Sequence, residues 1–154
     1  MSEKILVFDM DGTIADFYGQ ENWLYNIRHK IASPYRNAKP LFDMDTLNNL
    51  CISLKAKGYR IVITSWLSKE STTEFKNKVR IAKREWLEKY NFPYDEIHLV
   101  QYGTPKSNCT KKYKNAMQIL VDDEENNLNE FTRKAKHFSI KADANLLDRL
   151  AELL

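Results

Sequence analysis

Four consecutive apolar residues, Ile5, Leu6, Val7 and Phe8, run straight into Asp9, Met10, Asp11, Gly12 and Thr13. An apolar run without polar alternation is the pattern of a strand covered on both faces, as in a parallel sheet between helices. Gly12 lets the chain leave such a strand through a tight turn. Open α/β sheets bind ligands at the carboxyl ends of their strands, which is where Asp9 and Asp11 would stand. Extended backbone points alternate side chains the same way, so both carboxylates can reach one bound group while Met10 faces elsewhere. Two like charges that close need a cation or a shared proton. A strand followed by a solvated Asp-Gly turn is the plain alternative for these residues taken alone.

The rest of the chain alternates extended and helical patterns, the order of a parallel sheet with crossover helices. After the first strand, about residues 17–41 read as an aromatic-rich insertion with weak periodicity, a small cap containing Phe17, Tyr18, Trp23, Tyr25 and Tyr35. A helix is predicted from Asp45 to Lys57, with Leu47, Leu50, Cys51 and Leu54 on one face and Gly58 as its stop. Arg60 to Thr64 reads as the second strand, followed by a charged helix from Ser71 to Tyr90 whose core face is Phe75, Val79, Ala82, Trp86 and Leu87. Further strands are predicted at Ile97 to Val100, Gln118 to Asp122 and Lys136 to Ile140, with closing helices at Glu125 to Lys134 and Asn145 to Leu153.

Three more strand ends carry groups that complement the first. Thr64 and Ser65 offer hydroxyls and backbone donors to a phosphate oxygen. Asp122 and Asp123 add a second acidic pair, completing an oxygen-ligand site of the kind magnesium takes. Between them, Thr104, Pro105 and Lys106 read as an N-cap, a proline at the first helical position and a lysine in the first turn, aimed at an anion site. Each element alone has a structural explanation, since strand-end hydroxyls and acidic pairs are common turn and cap chemistry. Their repetition at successive strand ends does not.

Composition bounds the reading. The 154 residues, 43% hydrophobic and 12% aromatic, suit one domain with a real core. No window approaches an uninterrupted membrane span or a secretory signal, and Cys51 and Cys109 lack the spacing of a metal cluster or a disulfide framework. A cytoplasmic protein with reduced thiols is expected. The net charge of +3 is compatible with an anionic substrate and too small to argue for nucleic-acid binding.

The series DMDGT at Asp9 to Thr13, ITS at Ile63 to Ser65, a lysine at Lys106 and VDD at Val121 to Asp123 resembles the four motifs of haloacid-dehalogenase-like phosphatases. The likeness spans almost the whole chain. Within that superfamily, DMDGTIADF, the helix text AKREWLEKY and VDD look like the 5'(3')-deoxyribonucleotidase group. The resemblance implies a Rossmann-like three-layer α/β sandwich with a mainly parallel sheet, a small cap after the first strand, and magnesium-dependent hydrolysis of phosphate esters. It casts Asp9 as the nucleophile and Asp11 as general acid and base. Magnesium would be held by the Asp9 side chain, the Asp11 main-chain carbonyl and a carboxylate of the last motif, Asp123 ahead of Asp122. Thr64, the Ser65 backbone and Lys106 would stabilise the phosphoryl oxygens. Lys106 has the family lysine's place at a helix start, whereas counting back from the acidic pair favours Lys112, with Lys111 beside it. Thr13 is expected to bind backbone.

Substrate choice would fall to the insertion. The resemblance sets Phe17 against a nucleobase, with Trp23, Tyr35 and Trp66 completing an aromatic slot; the equally simple reading is that these rings hold the cap on the core. A (deoxy)nucleoside monophosphate is the expected substrate. Another small phosphoester or a nucleic-acid 5' end is the enzymatic alternative, and a phosphoacceptor receiver or binding module is the alternative of another class. The loop after Asp11 and the cap-length insertion argue against a receiver.

Overall fold

Strand β1 (Lys4–Phe8) is the spine of the molecule. In the computed structural model, which describes residues 3–69 and 71–154, β1 is followed by a ribbon strand β2 (Ala15–Asp16), helices α1 (Trp23–Arg28) and α2 (Ser33–Asn37), and ribbon strand β3 (Lys39–Pro40). Then come α3 (Met44–Ala56), β4 (Tyr59–Trp66), α4 (Thr73–Lys89), β5 (Glu96–Val100), α5 (Lys106–Cys109), β6 (Met117–Asp122), α6 (Glu125–Phe131), β7 (His137–Lys141) and α7 (Leu146–Ala151). Five strands form one sheet in the order β5-β4-β1-β6-β7, every pair parallel. The chain winds outward from β1 to one edge, then returns to build the other side. The reversal opens a crevice beside the end of β1, where such sheets bind ligands.

Ile5, Leu6, Val7 and Phe8 are all fully buried, because β1 has strands on both sides and helices on both faces. Leu6 and Phe8 pack with Ile61, Ile63, Leu47, Leu54, Trp86 and Leu146 on one face. Ile5 and Val7 pack with Val62, Leu120, Leu128 and Phe131 on the other. Burying four such side chains is worth roughly 6–12 kcal/mol in transfer free energy, enough to hold the strand end rigid while carboxylates crowd at its tip.

Helices α3 and α4 start at side-chain caps. The Asp43 side chain accepts from the Asp45 N–H at 3.0 Å ahead of α3, and Thr72 accepts from the Phe75 N–H at 3.2 Å ahead of α4. Both helices begin within two residues of the predicted positions. Lys136, at φ 66°, precedes β7, which starts one residue later than predicted. The start of α5 differs more. Thr104 does not cap it: its backbone N–H and its hydroxyl both donate to the Gln101 carbonyl, folding it back over the turn at Gly103, and Pro105 takes the cap position.

The insertion between β1 and α3 is closed at its base by the antiparallel pairing of Ala15 with Pro40 and Asp16 with Lys39. Phe17 and Tyr35 dock it on Leu67 and on Phe75, Val79 and Ala82 of α4. The Trp86 indole N–H donates to the Ala38 carbonyl at 2.8 Å, and Arg36 pairs with Glu85. The outer helix α1 has no buried residue.

Candidate active site

Beyond β1 the backbone curls around one carbonyl. The N–H groups of Thr13, Ile14 and Ala15 all donate to Met10 O, and Gly12 N donates back to Ala15 O. Gly12 sits at φ +81°, and a Cβ there would lie 2.5 Å from Asp123 Oδ2, so the position needs glycine both for its conformation and for the close approach of β6. Met10 is buried in the core, while Asp9 and Asp11 both line a pocket of about 620 Å³.

Each aspartate has its own lysine. Lys106 Nζ, 1% exposed, donates to Asp9 Oδ1 at 2.9 Å and to the Thr64 carbonyl at 2.8 Å, and lies 3.7 Å from Asp122 Oδ2. Burial alone would lower its pKa, but the Asp9 and Asp122 carboxylates outweigh burial and raise it. The alternative placement of the motif lysine finds no support in position. Lys112 lies on an exposed 3-10 turn and pairs with Glu96 at 2.7 Å, and neither it nor Lys111 lines the pocket.

The second lysine is Lys83 of α4, fully buried, which donates to Asp11 Oδ2 at 2.8 Å, Ser65 Oγ at 2.6 Å and the Trp66 carbonyl at 2.7 Å. The sequence reading passed over it. The signal was present: Lys83 lies four residues after Val79 and three before Trp86, within the apolar face of α4, where an unpartnered charge would be costly. Burial raises the pKa of Asp11, and Lys83 opposes it.

Asp9, Asp122 and Asp123 each bring a carboxylate oxygen into a group lying within 4.8 Å of one another. The pKa of Asp122 is raised by burial and by the Asp9 charge, and that of Asp123 is raised for the same two reasons. With Asp11 set against Lys83, the three carboxyl groups of Asp9, Asp122 and Asp123 face the single ammonium of Lys106, an excess of acidic groups over cations. An all-oxygen donor set with that excess fits a hard divalent cation. Asp122 is already engaged by the Glu124 N–H at 2.9 Å, Asn127 Nδ2 at 3.1 Å and Lys106, whereas the Asp123 side chain meets, among the other described side chains, the Thr13 hydroxyl through Oδ1 at 3.1 Å, which leaves it the freer of the pair.

Two placements, Thr13 and Thr64, depart from the sequence reading, and a third, Phe17, follows the packing alternative of its two readings. Thr13 binds carboxylates: its hydroxyl lies 2.9 Å from Asp9 Oδ2 and 3.1 Å from Asp123 Oδ1, and its single hydrogen can serve only one at a time. Thr64 is fully buried, does not line the pocket, and its hydroxyl has no partner among the described residues; its contribution is the carbonyl that accepts from Lys106. Side chains alternate along β4, so the neighbouring hydroxyl, Ser65, is the one that lines the pocket. Phe17 touches the pocket but is only 3% exposed, with Tyr35 stacked on it at 4.5 Å and Trp23 tilted against it at 5.3 Å.

Of the other rings around the pocket, Tyr18 and Tyr102 are exposed and Trp23 and Trp66 partly so. Trp66 donates its indole N–H to the Thr104 carbonyl at 2.7 Å, and its ring lies 4.9 Å from Tyr102 and 5.3 Å from Lys106 Nζ. Arg28, Lys30 and Lys69 add positive charge to the lining, with Glu124 opposing them.

No family model matches the chain, and no curated protein matches it in sequence. Solved structures do. A chain of the Pnkp1/Rnl/Hen1 complex is 18% identical with a TM-score of 0.57, over 91% of this chain and 46% of that one. A chain of the Pnkp1/Rnl/Hen1 RNA repair complex is 19% identical with a TM-score of 0.57, over 93% and 44%. The D,D-heptose 1,7-bisphosphate phosphatase of Burkholderia thailandensis is 12% identical with a TM-score of 0.58, over 98% of both chains. The chain therefore spans under half the length of the first two and nearly all of the third. What it shares with them is the parallel α/β fold.

Proposed function

We propose that this protein is a phosphomonoester hydrolase that works through a phosphorylated Asp9. The observation that carries the reading is the Asp9 carboxylate at the tip of the central strand, facing the pocket with Lys106 at 2.9 Å and Asp11 lining the same pocket. Its resemblance to haloacid-dehalogenase-like phosphatases in four motifs, and a fold shared with a bisphosphate phosphatase, support the same conclusion.

The chemistry follows from the residues. Asp9 attacks phosphorus and forms an acyl phosphate, while Asp11 gives its proton to the departing alcohol oxygen. Burial favours the protonated form of Asp11, the form a general acid needs. Asp11, now a carboxylate, takes a proton from water as that water attacks phosphorus, and Asp9 is released. Lys106 offsets the charge on Asp9 and on incoming phosphate, and Ser65 presents a hydroxyl to a phosphoryl oxygen. Magnesium, held by Asp9, the Asp11 carbonyl and Asp123 with Asp122 behind it, would supply the charge screening that lets an anionic nucleophile approach a dianion.

We further propose a (deoxy)nucleoside monophosphate as substrate, since Tyr18, Trp66 and Tyr102 offer aromatic surface on the lining of the same pocket as Asp9. A second reading, a phosphorylated nucleic-acid end, is favoured by the cations Arg28, Lys30 and Lys69 on the same lining, which suit further phosphates. Magnesium-dependent turnover of p-nitrophenyl phosphate, lost in Asp9→Asn, tests the reaction. Absence of turnover in the wild-type protein with magnesium would refute it. Nucleoside monophosphates compared with phosphate-ended oligonucleotides then separate the substrates: higher kcat/KM on the oligonucleotide would overturn the nucleotidase reading.

A further inference from the structure

A lysine ammonium carries three N–H bonds, and all three of those on Lys83 are spent. They go to Asp11 Oδ2, Ser65 Oγ and the Trp66 carbonyl, at 2.6–2.8 Å. The side chain is fully buried and does not line the pocket, so no donor is left for a ligand. Its partners, however, are two of the groups the pocket does show. Asp11 is fixed by the ion pair with one carboxylate oxygen turned away toward α4. Ser65 accepts from the ammonium, so its own hydrogen is free to point elsewhere, and the pocket is the side on which it is open. The Tyr35 ring, 5.0 Å from the ammonium, ties the same group to the insertion. One buried cation thus meets the loop after β1, strand β4 and the docked insertion at once.

We propose that Lys83 is a positioning residue for the phosphatase reaction proposed above: without touching substrate, it holds the Asp11 carboxyl group and the Ser65 hydroxyl in the orientations that proton transfer and phosphate binding require. Lys106 and Lys83 then divide the work. Lys106 faces the nucleophile and the ligand, and Lys83 stands behind the acid and base. A lysine kept only for stability would act on folding; a positioning lysine acts on kcat through Asp11.

The test is a double-mutant cycle on p-nitrophenyl phosphate hydrolysis with magnesium, using Lys83→Met, Asp11→Asn and both together. Lys83→Met in the Asp11 background should lower kcat by about tenfold or more while KM changes by less than about threefold, because no substrate contact is lost. In the Asp11→Asn background the same change should lower the residual kcat by about threefold or less, since Asp11 is already disabled and only the Ser65 hydroxyl remains for Lys83 to position. The double variant also removes both buried charges together, so it folds even where Lys83→Met alone leaves a carboxylate stranded. If Lys83→Met proves unstable, Lys83→Ala with added ethylammonium replaces it, and partial recovery of kcat is expected. A tenfold loss in both backgrounds, a loss confined to KM, a folded Lys83→Met enzyme with unchanged kcat, or no recovery with the amine would overturn the proposal. Inactive wild-type protein would overturn instead the phosphatase reading on which it rests.

Discussion

The floor of the pocket and its rim are built in opposite ways. On the floor and directly behind it, Asp9 and Lys106, then Asp122 and Lys83, are nearly sealed from solvent and each is held by named partners. On the rim, Tyr18 and Tyr102 are 50% and 49% exposed, and α1 has no fully buried residue. Buried charges survive only in fixed geometry, so the floor is rigid because it must be. The rim has no such constraint and can adapt to what it covers. Phe17 belongs with the floor despite its place in the insertion, since its ring is packed and not presented. A reaction common to many substrates with a separately adjustable entrance is what this division supports.

The largest expected effect lies on the floor. Asp9→Asn keeps the shape but removes the nucleophile and a metal charge, and turnover should fall by roughly several orders of magnitude in a folded protein, as for other covalent nucleophiles. Circular dichroism with a p-nitrophenyl phosphate assay checks it; appreciable activity in the folded variant would contradict a covalent role for Asp9.

Next come Lys106 on the floor and Lys112 outside the pocket altogether. Lys106→Ala should cost about tenfold or more in kcat/KM, or about 1.4 kcal/mol of transition-state stabilisation. Lys112→Ala, on an exposed turn, should be nearly silent. The reverse pattern would move the site.

Phe17 sharpens the boundary between floor and rim. At 3% exposure, Phe17→Ala should cost roughly 3–5 kcal/mol of stability and impair p-nitrophenyl phosphate and nucleotide hydrolysis alike. Tyr18→Ala should leave the melting temperature nearly unchanged and reduce nucleotide hydrolysis selectively, by roughly fivefold or more if its face meets a base. Selective loss in Phe17→Ala without a change in stability would return the base to Phe17.

The smallest effect lies far from the pocket. Burial would raise the pKa of Glu96, but hydrogen bonds from Lys112, His98 and Tyr113 outweigh it and hold the carboxyl at about 2, against 4.5 for the free group. The native state therefore binds fewer protons than the unfolded one, and this contribution is complete above about 4.5 and is lost as pH falls toward about 2. Glu96→Gln should flatten the stability curve slightly in that window and leave it unchanged near neutrality, as followed by urea denaturation across pH. The exposed position of Lys112 keeps the effect small.

How much was legible in advance varied with distance along the chain. The parallel α/β order, the strand tip bearing Asp9 and Asp11, and the core face of α4 could be read from residues one to four apart, because strand and helix periods are local properties. The paired acids at Asp122 and Asp123 were legible for the same reason. The lysines were not equally so. Lys106 reaches Asp9 across 97 residues and Lys83 reaches Asp11 across 72, and spacing alone left Lys106, Lys111 and Lys112 as alternatives.

Tertiary structure decided which side chains face the pocket. Thr64 and Ser65 are equivalent as sequence, but alternation on a strand buried on both faces sends one beneath the floor and opens the other to it. Phe17 and Tyr18 are likewise adjacent aromatics, one packed on Tyr35 and one half exposed, because only one can point toward α4. The Thr13 hydroxyl meets Asp9 locally, four residues back, but meets Asp123 because β6 brings that residue against Gly12. By itself the sequence determined the elements and their chemical inventory, which depend on short-range periodicity; the pairing of each charge with its partner depended on long-range packing, which no local pattern encodes.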